Sequence, residues 1–561
     1  MIFAMTTDEI IKILLKNRGL TNPEQVEGFF HPPHPADIPL KSVGLKSVDI
    51  QKAITLIRRH IRENHKIFIY GDYDVDGLCA AAILWETLYR TYRNVHPHIP
   101  HRREEGYGLS QKGIDHCLSL GAKLIITVDN GIVASDQIDY TKKHNCDVIV
   151  VDHHEKGKKL PPADVILHST STCAAGLAYF FAKELIKILP SPNLGEGSRE
   201  EYKEVLDLVS LAVICDIVPL LGVNRSFAKF GLEELNHTCR PGLLALIEIS
   251  GIKKFPSPDP GEGSRERLTE FGINSYHVGF ILGPRLNAAG RLEHALDSLR
   301  LLCTTDPGRA RQIAQQLNNT NIRRQDLTTK SFDHAIKNIS KITDLLVASS
   351  PDYDEGIIGL IAAKLVEKYY RPAIAISVGE EVSKASARSI PGFHITEYLQ
   401  THAQLFSSIG GHSMAAGFSF PTSRLTQIIS LLPQISLSPD LLTKKSRIDT
   451  EIPLSVLDLD FYLRLLEFAP FGLGNPQPVF STPGLEIVSS RIVGKTGRHL
   501  KFILSDGTVS LPAIWFSPPE DFNPQKTSQI YPYYSLQVDS FSGRPTLQLQ
   551  IKKKSSVPPL D

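Results

Sequence analysis

Residues 66–85 read KIFIYGDYDVDGLCAAAILW. The run Ile67, Phe68, Ile69, Tyr70 is apolar, β-branched and aromatic, which predicts a buried strand, and Gly71 turns the chain out of it. Asp72, Asp74 and Asp76 follow at alternate positions. Ionised carboxylates taken out of water need cations or donors, and this turn holds no Lys or Arg to pair with them. A divalent metal would supply the missing charge. Gly77 permits a tight exit, and Leu78 to Tyr89 carries Ala and Leu at helical density, so the unit is strand, acidic turn, helix. A solvated acidic loop is the alternative reading of this stretch alone. An EF-hand would need an entering helix and a glutamate at the twelfth loop position, and neither is present.

Two later segments repeat the pattern. KLIITV (123–128) ends at Asp129, Asn130, Gly131, and DVIVV (147–151) ends at Asp152, His153, His154. Strands separated by helix-length segments, each delivering carboxylate or imidazole at its carboxyl end, describe an open α/β sheet with its site along one edge. A single Asp after a strand is commonplace, but this set of Asp and His is hard to explain without metal. Asp216 lies between Val213, Ile214 and Ile217, Val218, where an unpaired charge costs several kcal/mol. It also calls for a cation.

The remaining features bound the class. With 561 residues the chain holds roughly three to four domains at ~150 residues each. Lys plus Arg (61) and Asp plus Glu (60) cancel, so affinity for nucleic acid must come from local basic surface. The seven cysteines form no CxxC pair and read as reduced core residues of a cytoplasmic protein. No apolar run reaches ~18 residues and MIFAMTTDEIIK lacks a basic leader, so neither a membrane span nor a signal peptide is predicted.

Residues 1–55 read as an N-terminal helical cap on the first domain, with Ile10, Ile11, Ile13, Leu14 and Leu15 in an apolar stripe. In HRREEGYGLS, Arg102 and Arg103 read as surface charges, with reach toward an anion as the second reading. Residues 306–339, nearly free of Pro and Gly, predict a long linking helix, and 340–435 a second, smaller α/β unit. There Gly410 and Gly411 precede His412 and Ser413 and would leave amides open toward an anion; a tight turn with a capping Ser is the plainer alternative. From 443 to 555, alternating segments between Gly, Asp and Pro turns predict a small antiparallel barrel. Lys495, Arg498, His499 and Lys501 beside Phe502 and Trp515 suit a single strand, unless those rings are core. SPNLGEGSRE (191–200) and SPDPGEGSRE (257–266) are near copies and read as exposed inserted loops.

GDYDVDG (71–77), VDNG (128–131), VDHH (151–154) and CDIVPL (215–220) together resemble the four phosphoesterase motifs of the DHH family. GPRLNAAGRL (283–292), LNNTNIRRQ (317–325), EGIIGLIAAKLVEKYYRPAI (355–374), ARSIPGF (387–393), GGHSMAAGF (410–418) and FAPFGLGNPQPVF (468–480) extend the resemblance, within that family, to the RecJ-type exonucleases over nearly the whole chain. The resemblance implies a mostly parallel DHH domain (56–305), a helical linker, a DHH-associated substrate-binding domain (340–435) and an OB-fold (443–555). It implies a single-stranded-DNA-specific exonuclease of DNA repair and recombination, acting 5′ to 3′ by two-metal hydrolysis to mononucleotides. A small-nucleotide phosphodiesterase and a non-catalytic replisome scaffold are the alternatives.

By the same resemblance Asp74, Asp76, Asp129, His153 and Asp216 hold two Mn²⁺ or Mg²⁺ ions. Asp72 and Asp152 orient water or imidazole, and His154 donates to a phosphoryl oxygen or the leaving group. Arg285, Asn287 and Arg291 clamp phosphates, with Arg323, Arg388, Ser389, Gly410, Gly411, His412 and Ser413 closing from the other side; Lys495, Arg498 and Lys501 hold the strand on the barrel. The implied partners are single-stranded DNA, single-strand-binding protein and a helicase, with the enzyme a monomer. One departure stands out: Asp354 occupies a position where the family usually has histidine.

Overall fold

The computed structural model describes residues 5–189, 205–252 and 272–555, apart from 107, 446, 495–496, 520–521, 525–526 and 540–545. Both GEGSRE copies and Lys495 lie outside the described residues.

The first sheet is built from β1 (Lys66–Tyr70), β2 (Val95–His98), β3 (Ala122–Val128), β4 (Asp147–Asp152) and β5 (Val165–His168). Its order is β2-β1-β3-β4-β5, and every pairing is parallel. Helices cover both faces, which is why β1, β3 and β4 are continuous apolar runs and do not alternate. On one face the helix Val75–Tyr89 is buried along its first ten residues and packs with Ala174–Ile186 and Leu206–Cys215. Ile114, Cys117 and Ile138, from the helices Gln111–Ser119 and Ser135–Lys143, cover the other. Strand order reverses between β1 and β3, so the crossovers leave in opposite directions and open a crevice at the carboxyl ends of those two strands. All the acidic turns empty into that crevice.

The helix Pro307–Asn338 runs 32 residues and leads to a second sheet of β6 (Leu346–Ser350), β7 (Ala373–Ser377), β8 (Val382–Arg388), β9 (Ser408–His412) and β10 (Ala415–Pro421), in the order β6-β7-β8-β10-β9. After the short β11 (Thr450–Glu451) and β12 (Phe480–Ser481), the strands β13 (Leu485–Val493), β14 (His499–Ser505), β15 (Ser510–Phe516), β16 (Gln529–Asp539) and β17 (Thr546–Ser555) close on themselves: β17 pairs with both β15 and β16. Closure leaves the five-stranded barrel without a free edge. Phe502 and Trp515 lie in its core, so they are packing residues and present no ring to solvent.

The N-terminal segment touches two cores: Arg225 and Lys229 of the first domain donate to the Phe29 and Phe30 carbonyls. The helix Ser47–Arg62 packs on the first sheet, but Thr7–Asn17 and Pro23–Phe30 bury Ile10, Ile11, Leu14 and Phe29 in the same cluster as Phe461, Phe468, Phe480 and Trp515 of the C-terminal domain. The beginning and end of the chain share one core. Arg225, 1% exposed, locks this junction: its guanidinium donates to the carbonyls of Phe29, Phe468 and Ala469 at 2.6, 3.1 and 3.0 Å and lies over the Phe29 ring.

Candidate metal centre and anion cleft

Each acidic side chain is aimed by its local backbone. Asp74 is the N-cap of the helix Val75–Tyr89, its Oδ1 accepting from the amides of Asp76 and Gly77 at 3.0 and 3.1 Å. The helix packs hard on the turn, and a Cβ on Gly77 would sit 2.6 Å from the Asp72 nitrogen. Asp129 adopts φ of 63°, a left-handed conformation few non-glycine residues hold, and Ile217, directly after Asp216, has φ of 58°. This strain sits at the strand or helix ends from which the carboxylates enter the crevice.

Three carboxylates converge on one ring nitrogen. His153 Nε2 lies 3.2 Å from Asp129 Oδ1, 3.5 Å from Asp76 Oδ2 and 3.7 Å from Asp216 Oδ2. Asp72 Oδ1, Asp129 Oδ1, His153 Nε2 and Asp216 Oδ2 are all buried without a hydrogen-bond partner. Burial pushes Asp72, Asp76 and Asp129 above the usual carboxylate range, and neighbouring acids push them further; the same causes raise Asp216 to about 8. Oxygen and imidazole donors stripped of water and aimed at common points fit hard divalent cations of the Mn²⁺ and Mg²⁺ kind; no thiolate set exists for a structural zinc among the described residues.

The ligand-capable atoms fall into three overlapping groups: Asp76 with His153 and Asp216, Asp129 with His153 and His154, and Asp72 with Asp74 and Asp129. Asp72 thus stands with Asp74 and Asp129 among the ligand-capable atoms, where the family resemblance implies an orienting duty for it. Asp152 is different. It is buried and fully used: Oδ2 accepts from Ile132 N at 2.9 Å, and Oδ1 accepts from His154 N at 3.1 Å and faces His154 Nδ1 at 2.8 Å. Burial alone would raise Asp152, but these bonds hold it below its usual range. Burial likewise pulls His154 down, while Asp152, Asp216 and Asp72 raise it to about 9.

Asp76 has a second task that its sequence setting hides. Its Oδ2 and Oδ1 accept from the amides of Ala174 and Ala175 at 2.7 and 2.8 Å, capping the first turn of the helix Ala174–Ile186. The two roles separate by substitution. Asp76→Asn keeps an acceptor for that helix and sheds a charge crowded by other acids, whereas Asp76→Ala leaves buried amides bare. In chelator, thermal unfolding should place Asp76→Ala about 1–2 kcal/mol below Asp76→Asn. Equal stability of the two variants would remove the capping role.

Opposite the acids lies a cluster of guanidinium groups. Arg291 is crowded by Arg102, Arg324 and Arg388; burial first, then these like charges, lower it to about 10. They come from four segments: the helix Gly283–Leu292, the loop after β2, the long helix and β8. Arg102 also lies over the Tyr73 ring, 5.0 Å from its centroid. Half-buried cations gathered together define an anion seat, and planar guanidinium forks match phosphate oxygens. Arg323 is exposed and lines a depression with Glu293 and Gln316, whereas its neighbour Arg324 is the one whose charge acts on Arg291, because adjacent helical residues lie ~100° apart.

Other sequence-marked residues hold the framework. Asn287 Oδ1 accepts from Val75 N at 3.1 Å, fixing the acidic turn, and Arg285 donates to Asn318 Oδ1 and the Ile281 carbonyl. Ser389 donates to the Phe393 carbonyl, so its hydroxyl is engaged internally. Gly410 and Gly411 lie within β9, not in a turn; a Cβ on Gly411 would meet the Ala415 carbonyl at 2.3 Å. Their hairpin brings His412 across the cleft, its ring 6.5 Å from that of His154 and tilted by 15°. Arg103 bridges the domains through Asp354 at 2.5 Å, which gives the departing acid a partner. On the barrel, Arg498 is exposed, whereas Lys501 Nζ donates to Asp539 at 2.6 Å.

A reversing parallel sheet with metal-competent acids at its switch point, followed by a long helix and a second, smaller α/β domain that adds Arg388 to the guanidinium cluster, is the architecture of DHH phosphoesterases. The DHH family N-terminal domain matches residues 66–213, the DHHA1 domain 343–435 and the RecJ OB domain 448–553. The chain belongs to the RecJ family. It is 32% identical over 555 residues to the single-stranded-DNA-specific exonuclease RecJ of Bacillus subtilis, covering 97% of this chain and 67% of that one. To the RecJ of Haemophilus influenzae it is 30% identical, covering 90% of each. The crystal structure of RecJ in complex with Mn²⁺ from Thermus thermophilus superposes with a TM-score of 0.79 at 25% identity, covering 98% of this chain and 76% of that one.

Proposed function

We propose that this chain is a metal-dependent exonuclease specific for single-stranded DNA, digesting 5′ to 3′ to mononucleotides in repair and recombination. The observation that carries the reading is the pairing of carboxylates converging on His153 with guanidinium groups gathered around Arg291: one face is built for divalent cations and the other for a phosphate. A small-nucleotide phosphodiesterase has no evident use for the closed barrel, and a non-catalytic scaffold has none for the acids.

Asp76, His153 and Asp216 would hold one ion and Asp72 and Asp74 a second, with Asp129 reaching both. The ions supply Lewis acidity toward water and the phosphoryl oxygens. Asp152 keeps His154 in one tautomer and orientation, with the opposite ring nitrogen as the donor to a phosphoryl or leaving oxygen. Arg102, Arg291, Arg324 and Arg388 neutralise the phosphate and fix it in the cleft. His412, carried on the β9–β10 hairpin, closes the site over the substrate. Arg498, with Lys495 beside it in sequence, extends the grip along the barrel. Single-strand-binding protein and a helicase are the partners in keeping with this role, and the cytoplasm its place; among the described residues no helix is long and apolar enough to cross a membrane.

End-labelled single-stranded and duplex DNA incubated with Mn²⁺, Mg²⁺ or chelator tests the reading. Mononucleotides should appear from the 5′ end of the single strand with either metal, and none in chelator. Cleavage of duplex at a comparable rate, or persistence in chelator, would refute it.

A further inference from the structure

β2 is the outer strand of the first sheet, and its free edge is closed to a further strand. Ile67 N donates to the Asn94 carbonyl and Gly71 N to the His98 carbonyl, so Val95 and Pro97 turn their backbone outward. Pro97 has no N–H to offer, and the Val95 carbonyl accepts from Trp85 Nε1 at 3.2 Å. Along this edge lies a cavity of about 440 Å³, bounded by β1, β2 and the helices Val75–Tyr89, Gln111–Ser119 and Leu296–Cys303. Its wall holds five flat rings: Phe68, Trp85, His96, His98 and His116. Phe68 and His96 lie 5.4 Å apart, as do His98 and His116, and Trp85 stacks on Tyr89 at 4.6 Å. Two cations, Lys66 and Arg300, stand in the lining at exposed positions, and among the described residues no Asp or Glu is part of it. Lys66 Nζ donates to the Leu120 carbonyl at 2.9 Å and Arg300 Nη1 to Asp297 at 2.8 Å, one donor from an ammonium with three and one from a guanidinium with five.

We propose that this cavity seats a nucleoside monophosphate, its base among the rings and its phosphate toward Lys66 and Arg300. None of these residues belongs to the metal centre or the guanidinium cluster, so the seat stands whether or not the chain cleaves DNA. Size, shape and charge select the occupant together. The volume lies at the small end of ligand sites, about 300–1,000 Å³, which suits one nucleotide and not an oligonucleotide or a folded peptide. An added peptide strand is excluded by Pro97 and by the Trp85 bond to Val95. Metal is a poor occupant as well, for among the described residues none of these imidazoles joins a group of three ligand-capable atoms, and His98 Nε2 faces Glu105 at 3.0 Å. Flat rings favour a planar heterocycle, since every base has a π face. Burial and the charge of Lys66 hold His96 below its usual range, so its ring is neutral at pH 7 and can give one hydrogen bond and take another, as a base edge does. The two cations add what a bare nucleobase would not need, a counter-charge for phosphate.

The cavity carries its own reporter. The chain has two tryptophans, and Trp515 is sealed in the barrel core, so a ligand-induced change in tryptophan emission belongs to Trp85. The full chain is titrated in chelator with AMP, a probe chosen for its purine ring, and with adenosine. AMP should quench the emission saturably, and adenosine, lacking the phosphate, should bind about tenfold more weakly or worse. That comparison is made on the wild-type chain and decides the phosphate contact whatever the stability of any variant. Lys66→Glu/Arg300→Glu, altered at exposed side chains alone, should weaken AMP by about tenfold or more, and Trp85→Phe should abolish the quenching. Arg388→Ala, which disturbs the guanidinium cluster, should leave the AMP curve where it is. The seat is overturned by the absence of saturable quenching up to about 5 mM AMP, by adenosine binding as tightly as AMP, or by quenching that survives Trp85→Phe. A curve that Arg388→Ala shifts and the charge reversal does not would overturn it too, placing the nucleotide at the guanidinium cluster.

Discussion

Asparagine in place of Asp129 should cut strand cleavage by roughly a thousandfold or more while leaving the fold at least as stable as before. Asp129 belongs to two of the three groups of ligand-capable atoms, so its loss damages both halves of the proposed site. Charge stabilisation by bound metal contributes several kcal/mol to the barrier, and about 1.4 kcal/mol is tenfold in rate, so a loss of about three powers of ten follows. Stability should move the other way. Burial and the charges of Asp76, Asp74, Asp72 and Asp216 hold the Asp129 carboxyl well above its normal range, so an amide of the same shape relieves repulsion. Its φ of 63° also suits asparagine, which is enriched in left-handed backbone. Thermal unfolding separates the two effects. Mn²⁺ should raise the wild-type midpoint by linkage and move that of Asp129→Asn little. Activity within tenfold of wild type, or an undiminished Mn²⁺ shift, would remove Asp129 from the centre of the site.

The parts of the site legible in sequence are those where one physical constraint acts alone. β1, β3 and β4 are buried on both faces, so each reads as an unbroken apolar run, and a carboxylate directly after such a run has no burial to gain and stands out. Asp216 is visible for the same reason. The Asp76 cap is not visible: its acceptors meet the amides of Ala174 and Ala175 across 98 and 99 residues of chain. Arg102 sits in a loop without periodicity, and on a long helix whose cleft-facing stripe is polar no hydrophobic signal separates Arg323 from Arg324. The stripe Ile10, Ile11, Leu14 shows that the first helix buries a face. It does not name the partner, and that partner lies at the far end of the chain.

Because of that partner, a chain ending at Pro439 should fail to give a monodisperse protein, although every proposed metal ligand and every guanidinium of the cleft lies before the cut. Deleting the barrel uncovers Ile10, Ile11, Leu14 and Phe29, which are at most 7% exposed in the whole protein. At roughly 1.5–3 kcal/mol for each side chain, the lost burial is on the order of 6–12 kcal/mol, comparable with the whole stability of a typical domain. Arg225 makes the loss worse, since two of its three carbonyl partners, Phe468 and Ala469, leave with the barrel and a buried cation keeps only Phe29. Removing both sides of the interface should repair most of this. A chain of residues 40–439 carrying Arg225→Leu exposes neither the helical stripe nor an unpaired guanidinium, and should elute as a monomer in size-exclusion chromatography where the simple truncation aggregates. Its activity on short single strands would then report the cleft alone, free of the barrel's grip. A simple truncation that remains monomeric, with a melting temperature within a few degrees of the full chain, would show that the N-terminal helices fold without the C-terminal core and that Arg225 finds water in place of its carbonyls.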